Sequence, residues 1–200
     1  MGDITVVGHG EASGSPDVFQ ATVGVSVRSR RIAGVMAEVK AKARAVIDAV
    51  LDSGVAAEDV RTAWMSVHPQ FDGNRITGYA ADNSVRITVR DLSKVSDVLD
   101  KAVTAGGEAA QLSGVSFDLQ DSTELSTQAR ERAFADAKAR AEQYAALAGA
   151  TLGKVLRVDE TGGTSQPRAE FAMLRAAGGP PVEAGQQTVT AAITVVWELS

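Results

Sequence analysis

Residues 18–54 read VFQATVGVSVRSRRIAGVMAEVKAKARAVIDAVLDSG, and within this stretch the hydrophobic period changes once. Phe19, Ala21, Val23, Val25 and Val27 alternate with Gln20, Thr22, Gly24, Ser26 and Arg28, the two-residue period of a strand with one buried face. From Ile32 onward the apolar positions are Val35, Met36, Val39, Ala43, Val46, Ile47, Val50 and Leu51. They fall three, four and seven residues apart, and Gly54 stands where a helix would stop. This predicts a helix of about 20 residues, roughly 30 Å long. Glu38, Lys40, Lys42, Arg44 and Asp48 fill its polar face, so it has one stripe to bury. A strand leading into a one-faced helix calls for a sheet with helices on one side.

Upstream, Ile4–Val7 predicts a short strand that ends in Gly8-His9-Gly10, and Gly14-Ser15-Pro16-Asp17 predicts a turn. Downstream, Val60–Phe71 predicts a strand whose weak alternation, with Pro69, marks an edge or a bulge. Asp72-Gly73-Asn74 is a hairpin signal, and the return strand covers Arg75–Arg90 with a bend at Ala81–Ser84. Asp91 and Ser93 cap a second helix with the stripe Leu92, Val95, Val98, Leu99, Ala102 and Val103, ending at Gly106-Gly107. Val115, Phe117 and Leu119 form a short strand. A third helix starts near Asp121-Ser122 and closes at Gly149, striped by Leu125, Ala129, Ala133, Ala137, Ala141, Ala145 and Ala148. Alanine buries little area but lets another backbone come close, and Tyr144 and Leu147 read as added packing groups. Lys154–Glu160 and the alternating Val189–Leu199 complete the strands.

The order is therefore ββαββαβαββ. Hairpins mixed with helical connections give an α+β fold, mainly antiparallel sheets with three helices packed on one face. The chain reads as a single domain over residues 1–200. Within it 161–187 is a long flexible loop, punctuated by Gly, Pro and Ser and carrying Phe171, Met173 and Leu174.

Composition narrows the function classes. The 200 residues hold 20 Lys+Arg against 25 Asp+Glu, a formal charge of −5, and no cysteine. That excludes a disulfide scaffold, a cysteine-ligated metal centre and a thiol nucleophile. The acidic balance argues against a nucleic-acid partner, and Arg28-Ser29-Arg30-Arg31 reads as a solvated strand end. No apolar stretch is long enough for a transmembrane helix. Gly8-His9-Gly10-Glu11-Ala12-Ser13-Gly14 has the wrong spacing for a dinucleotide loop and leads into a strand, so it reads as a glycine-rich turn. His9 and His68 lack metal-ligand spacing. The pairs Asp118/Asp121 and Asp48/Asp52 stand where caps and solvated faces put carboxylates. No catalytic, cofactor-binding or metal-binding residue is assigned. Small-residue strand faces, the alanine stripe and apolar residues in the loop point instead to a homo-oligomer.

Several stretches, taken in order, are similar to the SIMPL-domain family of bacterial periplasmic immunogenic and oxidative-stress-defence-like proteins. They are Ile4-Thr5-Val6-Val7-Gly8-His9-Gly10-Glu11-Ala12 with Pro16-Asp17, Gly54, Asp59-Val60-Arg61-Thr62, and Pro69-Gln70-Phe71. Next come Ile76–Asn83, Val89-Arg90-Asp91-Leu92, Phe117-Asp118-Leu119, Ala148-Gly149 and Pro180–Gly185. The resemblance spans nearly the whole chain. It implies an α+β domain without established enzymatic activity, ring- or channel-like homo-oligomers in some members, and export to the periplasm or cell surface in many. Met1-Gly2-Asp3 runs straight into the first strand without an export signal, so the expectation is a trimmed leader or a cytoplasmic protein. Three functions follow: a non-enzymatic, self-assembling, stress- or envelope-associated protein; a ligand- or partner-binding module using the 161–187 loop; and a hydrolase or metal enzyme using His9 or His68.

Overall fold

The computed structural model describes residues 2–160 and 185–200, with the backbone alone of residues 168–169. Nearly all of 161–187, including Phe171, Met173 and Leu174, lies outside the described residues. In chain order the elements are β1 (Gly2–Gly14), β2 (Val18–Ser29), α1 (Ile32–Asp52), β3 (Val60–Asp72), β4 (Arg75–Val89), α2 (Val95–Gly106), β5 (Ala110–Asp118), α3 (Thr123–Leu147), β6 (Leu152–Glu160), β7 (Arg168–Ala169) and β8 (Gln187–Leu199). The α+β class and the antiparallel pairing are as the periodicity predicts. The strands divide between two compact units, Asp17–Asp118 and a second made of 1–16 with 119–200.

In the unit of residues 17–118 the strand order is β3-β4-β2-β5, every pair antiparallel. Phe19, Ala21, Val23, Val25 and Val27 are all buried, as their alternation predicts. They meet Val35, Val39, Val46 and Val50 of α1 and Val95, Val98 and Ala102 of α2 in one apolar core. Phe117 sets its ring edge-on to Phe19, with centroids 5.2 Å apart. Ile32 and Met36, at the margin of the α1 stripe, stay in water. Gly54 ends α1 with φ +88°, a left-handed conformation that needs glycine. The predicted capping residue Asp91 caps the 3-10 turn Leu92–Lys94 that leads into α2: its carboxylate accepts from the Ser93 amide at 3.1 Å and from its hydroxyl at 2.6 Å.

The other unit has the order β1-β8-β6, with β7 also pairing to β8. β1 and β8 pair without a break from Gly2↔Leu199 to Gly14↔Gln187. Here the sequence reading needs correction, because β1 does not stop at Gly8-His9-Gly10. Glycine is present there because a helix backbone lies against the strand. A Cβ on Gly8 would stand 2.6 Å from the Ala137 Cβ and 2.7 Å from its nitrogen, with the Ala133 carbonyl nearer still. A Cβ on Gly10 would collide with the Ala129 carbonyl and the Ala133 amide. The alanine stripe therefore closes on its own sheet: Ala129, Ala133, Ala137 and Ala141 are buried with Val6, Ile193, Val195 and Trp197. Tyr144 and Leu147 lie off that four-residue repeat and are exposed instead of packed.

The same helix closes the free edge of β1. Asp136 accepts the His9 backbone N–H at 2.9 Å, Arg140 donates to the Val7 carbonyl at 3.3 Å, and Arg132 donates to the Glu11 carbonyl. Residues four apart on a helix rise about 6 Å, close to the two-residue repeat of a strand, so the three side chains meet successive groups of the edge. An edge covered in this way cannot pair with another strand. Asp121 starts α3 by accepting the Thr123 amide at 2.8 Å.

Two outcomes follow. Gly10→Val forces a side chain into the α3 backbone and lowers unfolding free energy by about 2–3 kcal/mol or more in urea titrations. Gly2→Ala, where nothing lies within 4 Å, changes it by less than about 0.5 kcal/mol. The Asp91 and Asp121 carboxyls are both held below the ordinary carboxylate range, chiefly by side-chain hydrogen bonds from Ser93 and Thr123. A depressed folded pKa contributes stability that is present above the unfolded value, about 3.9, and lost as pH falls through the folded one. Asp91→Asn and Asp121→Asn are therefore less stable than the parent at pH 5–7, and the difference closes on acidification below about pH 4 in pH-dependent thermal melts.

Candidate functional site

The sheet of residues 17–118 carries helices on one face, and its other face is set by register. Arg61 stands opposite Arg86, and Arg86 opposite Thr22. The next row is Trp64, Ser84 and Gly24; then come Ser66, Asp82 and Ser26; then His68, Ala80 and Arg28. A bulge between Thr62 and Trp64 creates this arrangement. Val60 and Thr62 share the helix-facing side, and unbroken alternation would put Trp64 there too. The extra residue shifts the phase, so Trp64 joins Arg61 on the outer face and is 64% exposed. The weak alternation read from the sequence was this bulge.

Arg61 and Arg86 are like charges directly across a strand pair, an unfavourable arrangement. Arg61 gives its Nε proton to the Glu58 carbonyl at 3.3 Å, and among the described residues neither guanidinium has an ion-pair partner. Two rows along, the Ser66 hydroxyl donates to Asp82 at 3.1 Å. The face thus runs from two cations through an indole to a carboxylate flanked by hydroxyls.

β3 is also an edge strand, as Pro69 predicted. Phe71 and Ile76 face each other across the hairpin and are 61% and 49% exposed, and Met65 is 49% exposed. This apolar edge lies within one unit.

The other sequence candidates stand apart from this face. His9 and His68 are exposed residues of different units. Among the described residues no three His, Asp or Glu side chains gather in a metal-holding group. Asp48 pairs with Arg44 at 3.0 Å, and Asp121 is a cap. Arg28, Arg30 and Arg31 are a solvated strand end and helix start. A recess of about 150 Å³ opens beside the end of α1, lined by Gly54, Val55, Asp59, Arg90, Asp91 and Lys94 among others. Its guanidinium is committed: Arg90 donates to both oxygens of Asp59, at 2.7 and 2.8 Å. That carboxylate raises the Arg90 pKa above its ordinary value, by hydrogen bonding first and then by charge. The pair fastens β4 to the turn before β3. Sequence reasoning missed Arg61, Trp64 and Arg86. The signal was an aromatic residue out of phase with the alternation, three places from an arginine.

Residues 4–197 match the SIMPL family, described as protein of unknown function (DUF541), and the chain belongs to that family. It is 28% identical over 213 residues to the 26 kDa periplasmic immunogenic protein of Brucella melitensis biotype 1, covering 98% of this chain and 84% of that one. It is 26% identical over 181 residues to the uncharacterized protein YggE of Escherichia coli strain K12, covering 88% and 73%. A solved structure of an unknown protein from Galdieria sulphuraria spans 88% of this chain and 82% of its own at 12% identity, with a TM-score of 0.24.

Proposed function

We propose that this protein is a non-catalytic, self-associating component of the bacterial cell envelope, and that copies meet through the β3 edge and the β3–β4 hairpin. The observation that carries this reading is the exposed apolar pair Met65 and Phe71 on the edge strand β3, which has an open hydrogen-bonding side, with exposed Ile76 opposite Phe71 on β4. Such an edge is a template for a strand of another chain, and proteins that do not use it blunt it with charge or cover it. The contrast with β1 supports the reading, since that edge is closed by Arg132, Asp136 and Arg140. The envelope assignment rests on the relative named as a periplasmic immunogenic protein.

Light scattering coupled to gel filtration tests the assembly. The parent protein elutes as an oligomer at micromolar concentration, and the double substitution Met65→Lys with Phe71→Asp shifts it toward the monomer while leaving the circular dichroism spectrum unchanged. A parent that stays monomeric at every concentration ends the proposal. Osmotic-shock fractionation of the source cells checks the compartment.

A further inference from the structure

We propose that the outer face of the β3-β4-β2 sheet binds an acidic sugar chain, with Arg61 and Arg86 holding a carboxylate and Trp64 stacking on a pyranose ring. The inference does not depend on self-association, because Met65, Phe71 and Ile76 have no part in it.

Charge gives the first argument. The chain carries a formal charge of −5, yet the rows of this face place Arg61, Arg86 and Arg28 together with the carboxylate of Asp82. Arg61 and Arg86 oppose one another in register and have no acidic partner among the described residues. A bound anion lying between the two forks relieves that repulsion, and guanidinium groups suit carboxylates because both are planar and can form paired hydrogen bonds.

Shape gives the second. Trp64 is 64% exposed, and the bulge between Thr62 and Trp64 places it on the arginine side of the sheet. Its row lies one side-chain repeat from Arg86, about 7 Å along the strand. An indole of this exposure offers a flat apolar surface to a ring while its edge stays wet.

The third row decides the chemical class. Asp82 stands there with Ser66 and Ser26, and it already accepts a hydroxyl proton from Ser66. A carboxylate at this place accepts hydrogen bonds from sugar hydroxyls. It repels the next phosphate of a nucleic acid, which carries charge on every unit. The sequence of rows (cations, ring platform, hydroxyl acceptor) therefore matches an alternation of carboxylate, ring face and hydroxyls.

The test uses the full chain and, as probe, a hyaluronan tetrasaccharide, in which only every second ring carries a carboxylate, read by tryptophan fluorescence. Trp197 is 2% exposed and buried in the other unit, so a change in emission on binding reports Trp64. The expected result is saturable quenching or a blue shift that weakens with added salt. The pair Arg61→Gln with Arg86→Gln lowers affinity by about tenfold or more. Trp64→Ala, followed by calorimetry, lowers it by a similar factor, and Trp64→Phe restores most of it. Maltotriose, a neutral oligosaccharide, binds at least about tenfold more weakly than the acid. Each variant keeps the parent's melting temperature, because all three residues are exposed. The proposal is overturned by no binding of the hyaluronan tetrasaccharide at millimolar concentration, by binding that the arginine pair does not affect, by maltotriose binding equally well, or by a short oligothymidylate binding as tightly as the sugar acid.

Discussion

The close approach of two backbones, β1 and α3, is the constraint on which one half of the molecule depends. Gly8 and Gly10 remove side chains from the strand, and Ala129, Ala133 and Ala137 reduce them to a methyl on the helix. Neither surface buries much apolar area per residue. What the small residues provide is proximity, which brings the longer side chains flanking the stripe within reach of the strand's free edge. Arg132, Asp136 and Arg140 can close that edge because the helix axis lies so near to it. The larger apolar residues of the helix-facing side of β8, Val195 and Trp197 among them, are then sealed beneath the helix. Packing and edge protection have a common origin in two glycines.

The elements were legible in the sequence where one physical signal dominated. β2, α1 and β8 have clean periods because each buries a single face, and most of their buried residues are those the period names, with Val18, Gly24 and Gln187 buried besides and Ile32 and Met36 left exposed. The caps at Asp91 and Asp121 and the stop at Gly54 were legible because local hydrogen bonding and a left-handed φ demand particular residues. Legibility failed where a residue served a distant partner. Gly8 and Gly10 look like turn residues to any local rule, since their reason lies on a helix more than 100 positions away. Tyr144 and Leu147 look like core by composition and are not, because helical phase and not hydrophobicity decides burial. The division of the strands into two sheets was likewise invisible to a reading made segment by segment.

Strand β3 shows how one irregularity can assign two jobs to one element. Before the bulge its alternation serves the core, with Val60 packed against it. After the bulge Trp64 is turned outward, and the hairpin beyond carries apolar residues that the helices do not cover. A regular strand of the same composition would have hidden the indole. Bulges cost pairing energy, and this one redirects a side chain. The surfaces of this unit therefore differ in kind: a valine core beneath, a polar and cationic face above, and an apolar rim.

That the sequence of one unit is inserted within that of the other has a bearing on how the chain is made. Residues 17–118 are contiguous, so their sheet can close as soon as that length has left the ribosome. The N-terminal strand is in the opposite position. Its partner in the sheet is β8, nearly the whole chain away, and its helix is α3. Through most of translation β1 waits with its backbone unpaired, and Gly8 and Gly10, poor strand formers by themselves, keep it from sticking to anything before α3 arrives.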